Sequence, residues 1–337
     1  VDLFVGGRVV PGKFPTTPES YILKNKGGNF VDVTAEVCPL LQNAGMVTDA
    51  AFSDYNKDGN IDLILAGEFM PITVLENTGS TFENRTETLG LSETTGLWNS
   101  IAVADFDNDG DTDFVAGNIG LNTVLNSGQN KALKVDYADF DNNGYVDPIF
   151  SKYEEGAYFP IATLDQLTQQ LPQLKKNFLY YHKFAQATTS ELLQLLKTPF
   201  KTLEAKELRS IFIEQKDTGF EVLPLPNAVQ LAPVNSILVE DLNQDGFPDL
   251  LLVGNDYSAE VNGGRYDASF GTTLINTKDG NFTEVSREKS GFTVAGDSKS
   301  IVKVSTKDSN LILVGRNGET LATFKFKNTN THNLNTK

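Results

Sequence analysis

A nine-residue pattern that occurs four times constrains this chain more than any other feature. Its fullest copy is Asp105-Phe-Asp-Asn-Asp-Gly-Asp-Thr-Asp113, with Asp105, Asp107, Asp109 and Asp113 at positions 1, 3, 5 and 9 and Gly110 at position 6. Alternate side chains of such a turn converge on one point, the glycine permits the sharp bend, and the carbonyl of residue 7 adds an oxygen. Oxygen-only ligands in a flexible turn suit Ca²⁺ better than Mg²⁺, which demands a tight octahedron and keeps its waters. The second copy is Asp54, Asn56, Asp58, Asn60 and Asp62; the third is Asp139, Asp141, Asn143, Tyr145 and Asp147; the fourth is Asp241, Asn243, Asp245, Phe247 and Asp249. Asn60, Asp111, Tyr145 and Phe247 stand at position 7 and are expected to act through their carbonyls. Turn preference explains one such loop; four at one spacing predict about four bound Ca²⁺ ions.

An EF-hand is excluded, because position 12 is Leu65, Ala116, Phe150 or Leu252 where that motif needs a bidentate Glu. Short apolar runs flank the loops, such as Ile101-Ala-Val-Ala104 before one and Leu250-Leu-Leu-Val-Gly254 after another. They predict buried strands, so each loop is expected to be the turn of a β-hairpin.

Strand, Asp-x-Asp/Asn-x-Asp-Gly-x-x-Asp, strand, glycine resembles the FG-GAP or VCBS repeat of integrin-α-type β-propellers. Asp2-Leu-Phe-Val-Gly-Gly-Arg8, Ser20-Tyr-Ile-Leu-Lys-Asn25, Gly117-Asn-Ile-Gly-Leu-Asn122 and Gly264-Arg-Tyr-Asp-Ala-Ser269 also resemble bacterial secreted proteins of the ASPIC/UnbV type. No separate ASPIC/UnbV module stands out, and Asn143 departs from the Asp of the repeat pattern. The resemblance implies an all-β fold: a β-propeller of four-stranded antiparallel blades with calcium-binding hairpin loops, interrupted by one α-helical insertion.

Asp2-Leu-Phe-Val aligns with Asp62-Leu-Ile-Leu and Asp249-Leu-Leu-Leu, which places Asp2 at position 9 of a loop begun before Val1. The sequence is therefore expected to be part of a longer protein. Strands are expected at 21–24 and 30–34 in a partial first blade, and at 50–53, 61–66, 72–76 and 82–84 in a second. A third blade takes 101–104, 114–116 and 123–125. A fourth begins near 134, reaches 152, and resumes at 210–214 and 220–223. Strands at 236–240, 249–253, 272–276 and 282–285 form a fifth, and 301–304, 311–314 and 321–326 a degenerate sixth. Residues 1–326 thus read as a propeller of about six units, 154–207 as its helical insertion, and 327–337 as a disordered tail. In the insertion, Leu164, Leu167, Leu171, Leu174, Phe178 and Tyr181 make an amphipathic stripe that Pro172 divides, and Ser190-Glu191 opens a second helix.

The net charge of −16 over 337 residues argues against nucleic acid and anionic membranes as partners, and four Ca²⁺ would cancel half of it. No apolar run approaches the roughly 20 residues a membrane span needs. Millimolar calcium is an extracellular condition, so a secreted or cell-surface location is expected, reached by a leader outside this sequence. The single Cys38 allows no internal disulfide.

Turns of a four-stranded blade alternate between its ends. All four acidic loops are thus expected on one face, and the long connections Gly6–Ser20, 154–207 and Gly254–Gly271 on the other. Recognition is expected on that second face, from Arg8, Trp98, Asn99, Asn118, Asn122, Asn255, Tyr257, Arg265, Tyr266 and Asp267. Trp98 also reads as a core plug, and Arg265-Tyr266-Asp267 as a clamp for its loop. Three functional classes remain: a binding module for glycans or surface proteins, a structural segment of a larger surface assembly, and a polysaccharide lyase. The last would need Tyr257 or Tyr266 as base beside Arg265; no other catalytic set stands out.

Overall fold

Runs such as Leu63-Ile-Leu-Ala66 and Leu250-Leu-Leu-Val253 lack the polar alternation of a one-sided sheet, and every residue of both runs is buried. The computed structural model explains why: successive antiparallel sheets pack face to face, so both faces of the middle strands are covered. It describes residues 2–325 except 127, 129, 130, 260–262, 279 and 308; the expected tail lies outside the described residues.

Sheet one comprises Leu3–Val5, Tyr21–Lys26 and Asn29–Asp32. Sheet two comprises Met46–Ser53, Asp62–Met70, Thr73–Asn77 and Phe82–Asn84, with Gly96–Leu97 paired to the far end of Asp62–Met70. Sheet three joins Ser100–Ala104 and Asp113–Gly117 to Ile211–Lys216 and Gly219–Pro224. Sheet four, carried between the halves of sheet three, has the order Ala157–Pro160, Asp147–Glu154, Leu133–Ala138, Lys201–Ala205. Sheet five comprises Val234–Glu240, Asp249–Gly254, Thr272–Asn276 and Phe282–Val285, and sheet six Ser298–Ser305, Asn310–Arg316 and Ala322–Lys325. The fold is all-β with few helices, and among the described residues no strand pairing joins the first sheet to the last.

The two-residue period of a strand decides which neighbour each side chain meets. Leu63, Leu65 and Leu75 pack towards Phe4 and Ile22 of sheet one, while Ile64, Ala66 and Val74 pack towards Phe114, Ala116, Ile211 and Ile213 of sheet three. Val115 and Phe212 turn the other way, to Leu250 and Leu252 of sheet five, whose Leu251 and Val253 meet Ile301 and Val314 of sheet six. Full burial of each such Leu, Ile, Val or Phe side chain stabilises by about 1.5–3 kcal/mol. First strands of neighbouring sheets are also tied directly: Ile101 N–H donates to Asp49 Oδ2 (2.9 Å), Ser100 Oγ to Val234 O (3.1 Å), and Ile301 N–H to Ser236 Oγ (3.2 Å). The terminal glycine of the repeat serves this close approach, because a Cβ on Gly254 would lie 1.6 Å from Pro233 O.

Three expectations are corrected. Residues 210–224 complete sheet three, not the sheet begun at 134, so the segment interrupting sheet three is the whole stretch from Asn118 to Ser210. The expected strand at 123–125 is bend and turn. The helices, Leu164–Gln170 and Thr189–Leu196 with Tyr181–Ala185 between them, follow the third strand of sheet four instead of its second. Pro172 does divide the apolar stripe, opening a 3-10 turn at Pro172–Lys176, and a Thr188–Glu191 capping box starts the last helix.

Candidate metal centres

The four acidic loops share one backbone. Position 4 is left-handed in each, with φ of 59° at Lys57, 60° at Asn108, 59° at Asn142 and 63° at Gln244, and the glycine that follows two residues later has φ between 88° and 92°. A left-handed non-glycine residue costs about 1–2 kcal/mol, and side-chain bonds within the loop offset it. The position-1 carboxylates of Asp54, Asp105, Asp139 and Asp241 accept the glycine N–H at 3.0, 2.9, 2.9 and 2.9 Å. Asp58, Asp109, Asn143 and Asp245 at position 5 accept the N–H of Asn60, Asp111, Tyr145 and Phe247 at 2.7, 2.8, 2.8 and 3.0 Å.

Position 9 has a second role that its spacing did not reveal. Asp62, Asp113, Asp147 and Asp249 are buried. One oxygen of each accepts the N–H of position 2: Tyr55, Phe106, Phe140 and Leu242, at 3.1, 3.0, 3.0 and 2.9 Å. The other oxygen accepts a backbone N–H at the end of the third strand, from Asn77 (2.7 Å), Gln215 (2.8 Å) and Asn276 (2.8 Å). In sheet four the Gln170 side chain supplies that donor to Asp147 at 3.3 Å. Asp2 makes the same bond to Asn25 N–H at 2.9 Å, in register with its expected position 9. In sheets two, three and five this aspartate therefore pins the first turn to the third strand.

The donor set fits a hard cation. The carboxylates of Asp105, Asp107 and Asp109 offer oxygens within 4.8 Å of one another, as do those of Asp139, Asp141 and Asp147. Asp105 Oδ1 is buried without a hydrogen-bond partner, a cost that a cation would remove. Burial pushes the Asp113 carboxyl up to about 6 and raises Asp62, Asp107, Asp147 and Asp249 as well, so these loops hold negative charge at a cost that a divalent ion reverses. Asp245 is lowered instead, by the Phe247 N–H and Lys278.

Three loops share one end of the molecule. Lys57 Nζ reaches Asp111 Oδ1 at 2.5 Å, Ser53 Oγ meets Thr112 Oγ1 at 3.3 Å, and Asn108 Nδ2 donates to Gly246 O at 3.0 Å. The loop at Asp139 does not join them, contrary to expectation. Val146 N–H donates to Gly12 O (3.0 Å), in the connection between the first two strands of sheet one, because sheet four is carried from the opposite ends of the sheet-three strands. The helices are likewise misplaced by the topological argument. Pro160 leaves sheet four at its acidic-loop end and Lys201 re-enters opposite Tyr137, so the helices pack over Phe140, with Gln173 Nε2 on Phe140 O at 3.4 Å.

Most of the residues expected to serve recognition are engaged in bonds or ring contacts within the fold. Trp98 is fully buried and donates Nε1–H to Thr94 O (2.9 Å), the core plug. Asn118 Nδ2 donates to Glu207 O (2.9 Å) and Asn122 Nδ2 to Leu231 O (3.1 Å). Asn255, left-handed at φ 86°, donates to Ser269 O (2.8 Å) and Gly296 O (2.9 Å) and accepts Ser269 N–H (3.0 Å), clamping the 254–271 connection. The Tyr266 hydroxyl accepts from Thr123 Oγ1 (2.8 Å), and Arg265 stacks over Tyr257 at 4.7 Å. Asp267 is exposed. Arg8 pairs with Glu68 at 2.7 Å and, with Asn99, borders a cavity of about 500 Å³ where the first strands of sheets two, three, five and six begin. Sheet four, through Phe150, walls this cavity where the helices were expected; Asn235 and Lys299, which the sequence had not marked, line it too.

Residues 54–116 match the family described as FG-GAP-like repeat, which covers the first two acidic loops. The finer likeness to ASPIC/UnbV-type proteins rests on the quoted phrases alone. No curated protein matches the chain. Among solved structures it is similar to the V. cholerae biofilm matrix protein Bap1, at 10% identity and a TM-score of 0.28, covering 90% of this chain and 66% of that one. No helix among the described residues is long and apolar enough to cross a membrane.

Proposed function

We propose that this chain is a calcium-stabilised FG-GAP-repeat module of the β-propeller type, exported from the cell, whose rigid stack of sheets presents a binding surface to a glycan or an extracellular protein. The observation that carries the reading is the fourfold repetition of one loop backbone, with position-4 φ of 59–63° and glycine φ of 88–92°, around carboxylates that include an unpartnered buried oxygen. Asp54, Asn56, Asp58 and Asp62 would hold one ion; Asp105, Asp107, Asp109 and Asp113 a second. Asp139, Asp141, Asn143 and Asp147 would hold a third, and Asp241, Asn243, Asp245 and Asp249 a fourth, with carbonyls from Asn60, Asp111, Tyr145 and Phe247. A bound Ca²⁺ supplies charge neutralisation at turns that the position-9 aspartates already tie to a third strand or, for Asp147, to Gln170. Larger assemblies that contain the chain are compatible with this role. No observation favours the lyase alternative, since the Tyr266 hydroxyl is engaged by Thr123 and Arg265 lies over Tyr257.

Isothermal titration of the chelator-treated chain with CaCl₂ tests the proposal. Binding of about four equivalents with a rise in melting temperature is expected. Absence of binding at millimolar calcium would overturn it.

A further inference from the structure

The cavity between sheet four and the first-strand ends of the other sheets has two unlike walls. One is apolar, built from Phe14, Phe150, Ile119 and Leu125. Its rings are fixed before any ligand arrives: Phe14 and Phe150 stack at 6.1 Å, and Phe69 tilts onto Phe150 at 6.1 Å. Phe69 holds φ of 54° at the irregular register between Glu68 and Met70 that aims it there. The other wall is polar, and each of its cations has a carboxylate partner. Arg8 is paired with Glu68 at 2.7 Å; Lys299 is paired with Asp297 at 2.7 Å and lies 4.0 Å from Asp256.

Hydrogen-bonding capacity remains on that polar wall. Asn99 is held by its backbone N–H to Gly117 O, and no described residue engages its side-chain amide. Asn235 spends its Nδ2 on Asn255 O (2.7 Å) and Ser298 O (2.8 Å), which leaves its amide oxygen as an acceptor. Paired carboxylates retain lone pairs for hydroxyl donors.

We infer that this cavity binds a neutral pyranose unit of a glycan, with the C–H face of the sugar on Phe150 and Phe14 and its hydroxyl edge on Asn99, Asn235 and Glu68. The inference rests on the proposed binding role and narrows it. A flat ring with one apolar face and one hydroxyl edge matches one apolar and one polar wall. A phosphate or uronate would need an unpaired cation, and both wall cations already have carboxylate partners; the net charge of −16 opposes polyanions further. A volume of about 500 Å³ accommodates one or two sugar rings.

The test is saturation-transfer NMR on the intact calcium-treated chain with maltose, cellobiose, lactose and chitobiose, beside a galacturonate disaccharide. Transfer to at least one neutral disaccharide with a Kd of about millimolar is expected, weakened about tenfold or more by Asn99→Ala. Phe150→Leu should weaken it similarly, and circular dichroism identifies any variant that has lost its fold; Arg8→Ala, at an exposed pair, serves as a second polar-wall variant. No transfer from any neutral disaccharide at about 10 mM, stronger transfer from the galacturonate, or binding unchanged in folded Asn99→Ala would each overturn the inference. Calcium titration of the same sample keeps the two readings apart: calcium binding without sugar binding sinks this inference alone.

Discussion

Asp249→Ala separates the pin at position 9 from the metal. Asp249 is fully buried, and its two oxygens accept Leu242 N–H at 2.9 Å and Asn276 N–H at 2.8 Å. Truncation leaves two backbone donors without partners, at about 1–3 kcal/mol each. Relief of a buried carboxylate, whose burial raises its pKa, returns part of that cost, so a net loss of about 3 kcal/mol is expected. Asp107 is the control: it is half-buried and accepts only the Asp109 N–H, at a long 3.2 Å, so Asp107→Ala should cost about 1 kcal/mol or less without metal. In calcium the control changes sides, because one site at a hundredfold excess over its Kd contributes about 2.7 kcal/mol to stability. Urea unfolding followed by Trp98 fluorescence, in EGTA and in millimolar CaCl₂, reads all four values. Asp249→Ala should be unstable in both buffers, and Asp107→Ala near wild type in EGTA alone. Equal losses for the two variants in EGTA would refute the pin, and an Asp107→Ala protein as stable as wild type in calcium would refute the metal.

Two further outcomes follow from buried groups away from the loops. Burial raises the Asp49 carboxyl although Ile101 and Ala50 N–H lower it, so its protonated form favours the fold; that contribution is full below the unfolded pKa of about 3.9 and is lost as pH rises through the folded value. The stability of Asp49→Asn relative to wild type should therefore grow between about pH 4 and 7, and a difference that shrinks over that range would refute the assignment. Trp98→Ala should destabilise by about 3–5 kcal/mol while calcium stoichiometry stays unchanged, because its ring sits in the core between sheets two and three and touches no acidic loop; loss of a calcium equivalent would count against this placement.

The loops were legible because their chemistry is local: nine residues fix both the ligands and the turn. Strand identity was legible for a similar reason, since Leu63-Ile-Leu and Leu250-Leu-Leu must be covered on both faces. Partner choice was not, because local patterning is silent about sequence separation. Ile211–Lys216 pairs with Asp113–Gly117 across the whole of sheet four, whereas its place in the chain points to the sheet just before it. The helices lie where they do because Ala157–Pro160 precedes them as a strand, and the loop at Asp139 stands apart because all of sheet four is inserted into sheet three. A longer-range signal did exist. The third strands of sheets two and five, and the second described strand of sheet one, carry Asn77, Asn276 and Asn25 where the position-9 aspartate is met. The asparagine is chosen for its side chain as well: Asn77 Nδ2 donates to Ile61 O (3.1 Å) and Asn276 Nδ2 to Pro248 O (3.1 Å), each the carbonyl at position 8 of its loop. Gln215, with its amide oriented by hydrogen bonding, donates to Thr112 O at 3.1 Å, the position-8 carbonyl of the loop at Asp105. An amide that must read position 8 of one loop marks its strand as belonging to that loop, so Gln215 assigns residues 211–216 to Asp105–Asp113 however many residues intervene. The third strand of sheet four, Ala157–Pro160, carries no such amide, and there Asp147 takes its donor from Gln170 on the helix instead.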